Sequence, residues 1–234
     1  MEDLDVARLA EYLHLTPPQV IKMADRGKVP ARKVGGHWVF SEAEIHHWLE
    51  DRIGASDSQQ LDKVQEVLDR VAPAAVDRPI YELCTVDTIA VPLNARTRGS
   101  VIRSMSELAT KSGLMWDASV MSDAISAREE MHPTALDSGV ALLHPRRPQT
   151  SILSDSVIAL GVCPAPIPFA HRGQLTDVFF LICSYDDTSH LRILAKLSRM
   201  IVQDDILGEL RNCQSAGAAW NCLKLCEERM DDHE

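Results

Sequence analysis

Gly139-Val140-Ala141-Leu142-Leu143-His144-Pro145-Arg146-Arg147-Pro148 is the stretch on which the reading of the fold turns. Four apolar residues between a glycine and a polar exit predict a short strand buried on both faces. A histidine then leaves that strand beside two arginines, a setting suited to an anionic group. Moving outward, Val157–Val162 and Val178–Cys183 also read as buried strands, and Thr85–Pro92 as a short β-branched one. Between them, Val101, Ile102, Met105, Leu108 and Ala109 set a helix over Ser100–Lys111, and Val120, Ala124 and Ile125 another over Ser119–Arg128. Leu191–Val202 and Gly217–Cys226 read as amphipathic helices. Strands interleaved with helices predict an α/β layered domain over residues 80–234.

The remainder of the 234 residues divides into a Trp-bearing segment, 1–53, and a polar connector, 54–79. In the connector Leu61, Val64, Leu68 and Val71 follow a 3-4-3 spacing, and Pro73 ends it. This predicts a short helix that either packs on a neighbouring domain or joins two copies as a homodimer through residues 58–72. With 24 basic and 34 acidic residues, the net charge of −10 excludes a uniformly basic nucleic-acid coat, though not a local basic patch. The acidic start Met1-Glu2-Asp3-Leu4-Asp5 is unlike a signal peptide, and no apolar run is long enough to span a membrane. A cytoplasmic protein with no membrane partner is expected. Its six cysteines are then expected as thiols. Cys213, Cys222, Cys226 and His233 lack the tight pairing of a zinc site, whereas Ala219, Cys222, Leu223 and Cys226 share one helical stripe. No metal and no cofactor are expected, and no Gly-rich nucleotide loop or Gly-x-Ser-x-Gly is present.

In the first segment, Val6–Leu13 reads as a helix with Leu9, Ala10 and Leu13 inward. Thr16 is placed to cap a second helix opened by Pro17, which Gly27 ends. Val29–Phe40 reads as a hairpin turning at Gly35-Gly36, and Ser41 as the cap of a third helix bearing Ile45, Trp48 and Leu49. Helix, turn, helix and β-wing form a DNA-binding plan. The runs Leu9-Ala10-Glu11-Tyr12-Leu13, Thr16-Pro17-Pro18-Gln19-Val20, Gly27-Lys28-Val29-Pro30 and Trp38-Val39-Phe40 resemble the excisionase/MerR-type winged helix-turn-helix. That resemblance implies DNA as a partner, with the second helix in the major groove and the wing along the backbone. Residues 22–33 carry Lys22, Arg26, Lys28, Arg32 and Lys33 against Asp25 alone. Arg26, Arg32 and Lys33 are expected on phosphates, with Gln19 and Lys22 at base edges and Pro18 and His37 beside them.

Of nine histidines, those at 14, 37, 46, 47, 132, 171 and 233 read as turn, solvated or core polar groups for any catalytic purpose. His144 ends the decisive strand, and His190 follows Tyr185-Asp186-Asp187-Thr188-Ser189 at a helix start, which favours anions. Two histidines and an arginine around one phosphoryl group make a phosphohistidine site.

Residues 80–230 resemble the fructose/mannitol-type enzyme IIA domain of the sugar phosphotransferase system, including its nitrogen-regulatory branch. The carrying residues are Ser106-Glu107-Leu108-Ala109, Ala127-Arg128-Glu129-Glu130-Met131, Pro133-Thr134, Gly139 to His144, Pro166-Ile167-x-Phe169, Thr176-Asp177-Val178-Phe179-Phe180 and Ser189-His190-Leu191. The resemblance implies a mixed sheet flanked by helices. It implies phosphorylation of His144 by the phosphocarrier protein HPr, with His190 as the second site histidine and Arg128 as the site arginine. Two positions depart from the family's glycine-rich run: Leu143 stands for the proline before the histidine, and Pro145 for the glycine after it. Pro145 removes one backbone N–H, for which Arg146 is placed to compensate, with Ser189 as a further phosphoryl contact. Asp137 is a new negative charge in the same run.

The sequence therefore predicts an α/β (α+β) chain: a small winged helix-turn-helix domain, a linker, and an enzyme IIA-like domain. The function expected is a DNA-binding regulator phosphorylated on His144. Two alternatives stay open: a phosphocarrier whose N-terminal domain only docks proteins, and a sensor that is not phosphorylated.

Overall fold

The computed structural model describes residues 3–13, 15–41, 44–45, 48–49, 78–131, 133–169, 175–203 and 206–231. The expected linker helix and its dimer contact, over 58–72, lie outside the described residues, as do His14, His46, His47, His132, His171 and His233. By contacts the chain separates into two units, Met1–Ala75 and Val76–Glu234.

In the first unit, Asp5 accepts a 2.8 Å bond from the Arg8 N–H and so caps α1 (Val6–Tyr12). Leu9, Ala10 and Leu13 are buried, as their spacing requires. Thr16 and Pro17 open α2 (Pro17–Asp25), whose Val20 and Ala24 face the same small core. Gly27 takes φ +63° just past the helix, a conformation that costs a side-chain residue energy. Strands β2 (Arg32–Val34) and β3 (His37–Ser41) pair antiparallel, and Gly35 and Gly36 between them both have positive φ, the geometry of a tight hairpin. One strand was not expected: β1 (Asp3–Leu4) adds to the far side of β3. Ile45 and Leu49 from the expected third helix are buried, and the Trp48 indole donates to the Lys28 carbonyl at 3.0 Å.

The second unit is a mixed four-stranded sheet. The strands are β4 (Ile89–Ala90), β5 (Val140–Leu143), β6 (Val157–Pro168) and β7 (Leu175–Cys183), ordered β4-β6-β7-β5. β4 runs parallel to β6, β6 antiparallel to β7, and β7 parallel to β5. The strand expected over Thr85–Pro92 is shorter than its β-branched sequence suggests, because Val86–Thr88 first makes a 3-10 turn. The register of β6 slips between Val162 and Ile167, where Pro164 and Pro166 have no N–H for the ladder.

Alternate residues of the strands face opposite layers. Ala141, Leu143, Ala159, Phe179 and Leu181 share a core with Val101, Met105, Met121 and Ile125. These last come from α4 (Arg98–Thr110) and α5 (Ala118–Met131). The helices α6 (Asp187–Gln203), α7 (Ile206–Asn212) and α8 (Ala216–Asp231) pack on the sheet too, α6 and α7 against β7 and α8 against β4. A short helix, α3 (Ile80–Leu83), leads into this unit. α3 and α7 escape the sequence reading because one turn or two give too few repeats to show a period.

Ala219, Cys222, Leu223 and Cys226 form a buried stripe on α8. Burial raises the thiols of Cys84 and Cys183 to about 12 and that of Cys163 to about 11. No group of three His, Cys, Asp or Glu residues is arranged to hold a metal among the described residues. No helix among them is long and apolar enough to cross a membrane.

Candidate functional site

β5 and β7 are parallel neighbours, with Leu143 opposite Leu181, so their carboxyl ends emerge on one side of the sheet. This is the side on which open α/β sheets bind ligands. His144 leaves the end of β5, and Ser184 leaves the end of β7 just ahead of α6. His190 lies in the first turn of α6. Asp186 starts that helix by accepting the Ser189 N–H at 2.8 Å and the Ser189 hydroxyl at 2.6 Å.

The two imidazoles meet with centroids 4.9 Å apart and planes inclined at 54°. Both residues are buried, His144 at 3% exposure and His190 at 6%. His144 Nδ1 is 2.8 Å from the Leu142 carbonyl oxygen. A carbonyl only accepts, so Nδ1 carries the proton and, in the neutral ring, Nε2 carries the lone pair. His190 Nδ1 is 3.2 Å from the Ser184 hydroxyl, which fixes that ring in turn. The structure thus joins His144 and His190, and adds Ser184, which sequence reasoning missed. Its one signal was a polar residue closing an apolar strand.

The other expected residues are less directly placed. Arg128 is buried at 4% exposure in the last turn of α5. Arg146 is exposed two residues beyond His144. The Ser189 hydroxyl is engaged by Asp186 in the helix cap. Asp137 is exposed in the turn before β5. Leu143 is fully buried and pairs with Leu181, so it extends β5 by one rung where a proline has no N–H to offer. Pro145 is buried directly after His144.

One buried carboxylate, inside the Ala127–Met131 run, has no role in the sequence reading. Glu129, fully buried, accepts the Thr134 N–H at 3.1 Å and the Thr134 hydroxyl on the same oxygen. Arg98 Nη2 is 3.7 Å from the other oxygen. Burial raises the Glu129 carboxyl above its ordinary range, opposed by the Thr134 bonds and by the charges of Arg98 and Arg128.

In the first unit, Pro17, Pro18, Ile21, Lys22 and Asp25 of α2, with Arg26 just past its end, line a shallow surface groove. Gln19 Oε1 folds back onto the Thr16 N–H at 2.7 Å, so its oxygen serves the helix cap. On the wing, Arg32 pairs with Asp3 at 2.6 Å, Lys33 lies 4.5 Å from the centre of the Trp38 ring, and His37 is exposed.

The family described as phosphoenolpyruvate-dependent sugar phosphotransferase system, EIIA 2, matches residues 82–225. The chain belongs to this EIIA 2 family. A helix-turn-helix domain matches residues 4–53. Among curated relatives, the nitrogen regulatory protein of Bradyrhizobium diazoefficiens is 26% identical over 150 residues, 63% of this chain and 95% of that protein. The fructose-specific EIIABC component of Bacillus subtilis is 26% identical over 142 residues, 59% of this chain. The chain spans only 22% of that larger relative's length. In structure, the EIIA domain is similar to nitrogen regulatory protein IIA-Ntr from Neisseria meningitidis, with a TM-score of 0.55 at 20% identity, over 62% of this chain and 98% of that one. That likeness carries the mixed sheet and its helices.

Proposed function

We propose that the chain is a DNA-binding regulator whose EIIA domain is phosphorylated on His144 by a phosphotransferase-system donor such as the phosphocarrier HPr. The observation that carries this is the pair of buried imidazoles, with the His144 Nδ1–H committed to the Leu142 carbonyl. That bond directs the nucleophilic lone pair to Nε2. In the proposed step Nε2 attacks the phosphorus of a donor phosphohistidine. The new N–P bond forms as the donor's N–P bond breaks, and the donor imidazole leaves with the bonding electron pair and its ring proton. His190, steadied by Ser184, and the first turn of α6 supply donors for the phosphoryl oxygens, with Arg128 and Arg146 as positive charge. DNA binding is supported by the helix-turn-helix match and by Lys22 and Arg26, exposed on one face of α2. The phosphoryl group, near −2 in charge, is the input, and DNA affinity is the output.

The test is labelling from phosphoenolpyruvate with the two general phosphotransferase components, for wild type, His144→Ala and His190→Ala. Acid-labile label on wild type, absent from His144→Ala, is expected, together with a change in DNA affinity on phosphorylation. A folded wild type that takes no label refutes phosphotransfer and leaves a sensor. Label without salt-dependent DNA binding by monomer or dimer refutes the regulator and leaves a phosphocarrier.

A further inference from the structure

β5 is an edge strand of its sheet, so the strand that carries His144 has one unpaired side. Residues 134–136 cover it. Ala135 bridges Ala141 antiparallel, the Leu136 N–H donates to the Val140 carbonyl at 2.8 Å, and the Leu142 N–H donates to the Thr134 carbonyl at 3.4 Å. This arm turns into β5 through Gly139, which has φ +85° and an N–H bonded to the Leu136 carbonyl at 3.1 Å. The arm is only three residues long, and Ala135 is the residue of it that packs on the hydrophobic core. What holds its start is Glu129, at the end of α5, through both the N–H and the hydroxyl of Thr134. One line of contacts therefore runs from Glu129 to Thr134, from the Thr134 carbonyl to the Leu142 N–H, and from the Leu142 carbonyl to the His144 ring.

We propose that Glu129 is a positioning residue for His144, acting through Thr134 and Leu142 to hold the carbonyl that selects the Nδ1–H tautomer. This rests on the phosphotransfer reading of His144, though its first consequence, the tautomer, does not. A group buried at zero exposure and bonded twice to one residue is well suited to the task, because second ligands of a reactive histidine set its tautomer and ring angle. Losing the clamp lets the arm lift from β5 and frees the Leu142 carbonyl to drift. A displacement of about 1 Å at a reacting group costs up to roughly 10²-fold in rate.

Two readouts on the full chain test this. The first is the His144 ring tautomer in the unphosphorylated protein, from long-range ¹H–¹⁵N correlation. The second is the initial rate of label transfer from the general phosphotransferase components. Glu129→Leu removes the acceptor and Glu129→Gln keeps an oxygen there. Thr134→Val removes the hydroxyl and Thr134→Ser keeps it. Thr88→Val is the control. It deletes a buried hydroxyl bonded to the Ile158 carbonyl at 2.9 Å near β4, at the other edge of the sheet. The expectation is a mixed tautomer and a rate reduced roughly 10- to 100-fold in Glu129→Leu and, more weakly, in Thr134→Val, with Glu129→Gln, Thr134→Ser and Thr88→Val close to wild type. Wild-type tautomer and rate in folded Glu129→Leu overturn the proposal. An equal tautomer shift in Thr88→Val also overturns it, because the effect is then general loosening. If Glu129→Leu does not fold, the Thr134→Val and Thr134→Ser pair decides. A wild type that accepts no label defeats the phosphotransfer reading while the tautomer comparison still judges this one.

Discussion

Removing the Glu227 carboxylate is expected to weaken the EIIA unit more than any single surface change. Glu227 on α8 is 2% exposed and lies 2.9 Å from Lys196 Nζ on α6, itself 16% exposed. The same carboxylate accepts the Ile80 N–H at 2.9 Å and the Tyr81 N–H at 3.3 Å, so it also caps α3. Glu227→Ala removes the carboxylate 2.9 Å from the Lys196 charge and leaves two amides without that acceptor. Breaking one side of a buried pair costs about 3–5 kcal/mol. Lys196 keeps some access to water, which argues for the lower end, and the lost cap adds about 1 kcal/mol, for a total near 4. At a urea m-value of about 2 kcal/mol/M the midpoint falls by about 2 M. At about 2–4 °C per kcal/mol the melting temperature falls by about 10 °C. Hydrogen exchange followed by mass spectrometry over residues 187–203 and 216–231 during a urea titration isolates this unit from the N-terminal one. The paired swap Lys196→Met with Glu227→Leu should recover all but the capping share, since apolar replacements of a buried pair are often neutral. A loss below about 1 kcal/mol in Glu227→Ala refutes the reasoning and makes the contact a solvent-screened bridge.

Four further outcomes are expected. Iodoacetamide at pH 8 on the native protein should modify Cys213 first, because it is the only partly exposed cysteine, while Cys84, Cys163 and Cys183 react only on unfolding, as mass spectrometry of alkylated peptides would reveal. Glu129 has its folded pKa raised, so the folded state binds more protons than the unfolded one above the ordinary carboxylate range near ~4.3. Its contribution to stability therefore declines as pH rises from there through the raised value, and the stability–pH curve of Glu129→Gln should be flatter over that window, by urea midpoints at successive pH values. Lys22→Ala should lower the slope of log affinity against log salt for duplex DNA by about 0.9, while Arg32→Ala, already paired with Asp3, should lower it less; equal changes would mean that Asp3 releases Arg32 on binding. Pro145→Ala restores a backbone N–H after His144 and should speed His144 labelling, toward the roughly 10²-fold effect of one preorganised donor; an unchanged rate would mean that this N–H points elsewhere.

Most of the fold was legible because its elements are apolar in the right period. β5 and most of β7 are short, bounded runs of consecutive apolar residues, the length and composition of strands covered on both faces, and α4 keeps Val101, Met105 and Leu108 on one buried side. The hairpin at Gly35-Gly36 was legible from turn chemistry alone. The strand exit at His144 and the helix start at His190 were legible locally, but pairing the two histidines came from the family resemblance, since residues 46 apart show no local link. The partners that fix them were not legible. Ser184 Oγ, the Leu142 carbonyl and the Glu129 clamp act through positions set only when β5, β7 and the arm at 134–136 come together. The helical period from Met121 and Ile125 carries Glu129 to the buried side and Glu130 away from it, but it does not tell which backbone the carboxylate holds. Gln19 shows the same limit from the other side: its place on α2 suggests a base contact, while its oxygen closes the helix cap.

The departures at 143 and 145 look severe as sequence, and the geometry sorts them. Nucleophilicity at His144 depends on which ring nitrogen keeps the proton, and that is set by the Leu142 carbonyl, upstream of both changes. Leu143 strengthens that arrangement, since an added rung against Leu181 and a fully buried side chain hold the end of β5 in register. Pro145 acts downstream, where it removes one backbone N–H directly after His144. The two changes therefore bear on different quantities. One firms the end of β5 just ahead of the His144 ring, and the other takes a backbone N–H from the position after it. On the proposed phosphotransfer, a domain altered in this way would keep its nucleophile and have one backbone donor fewer beside the phosphoryl group, which favours a short-lived, readily returned modification over a stable store.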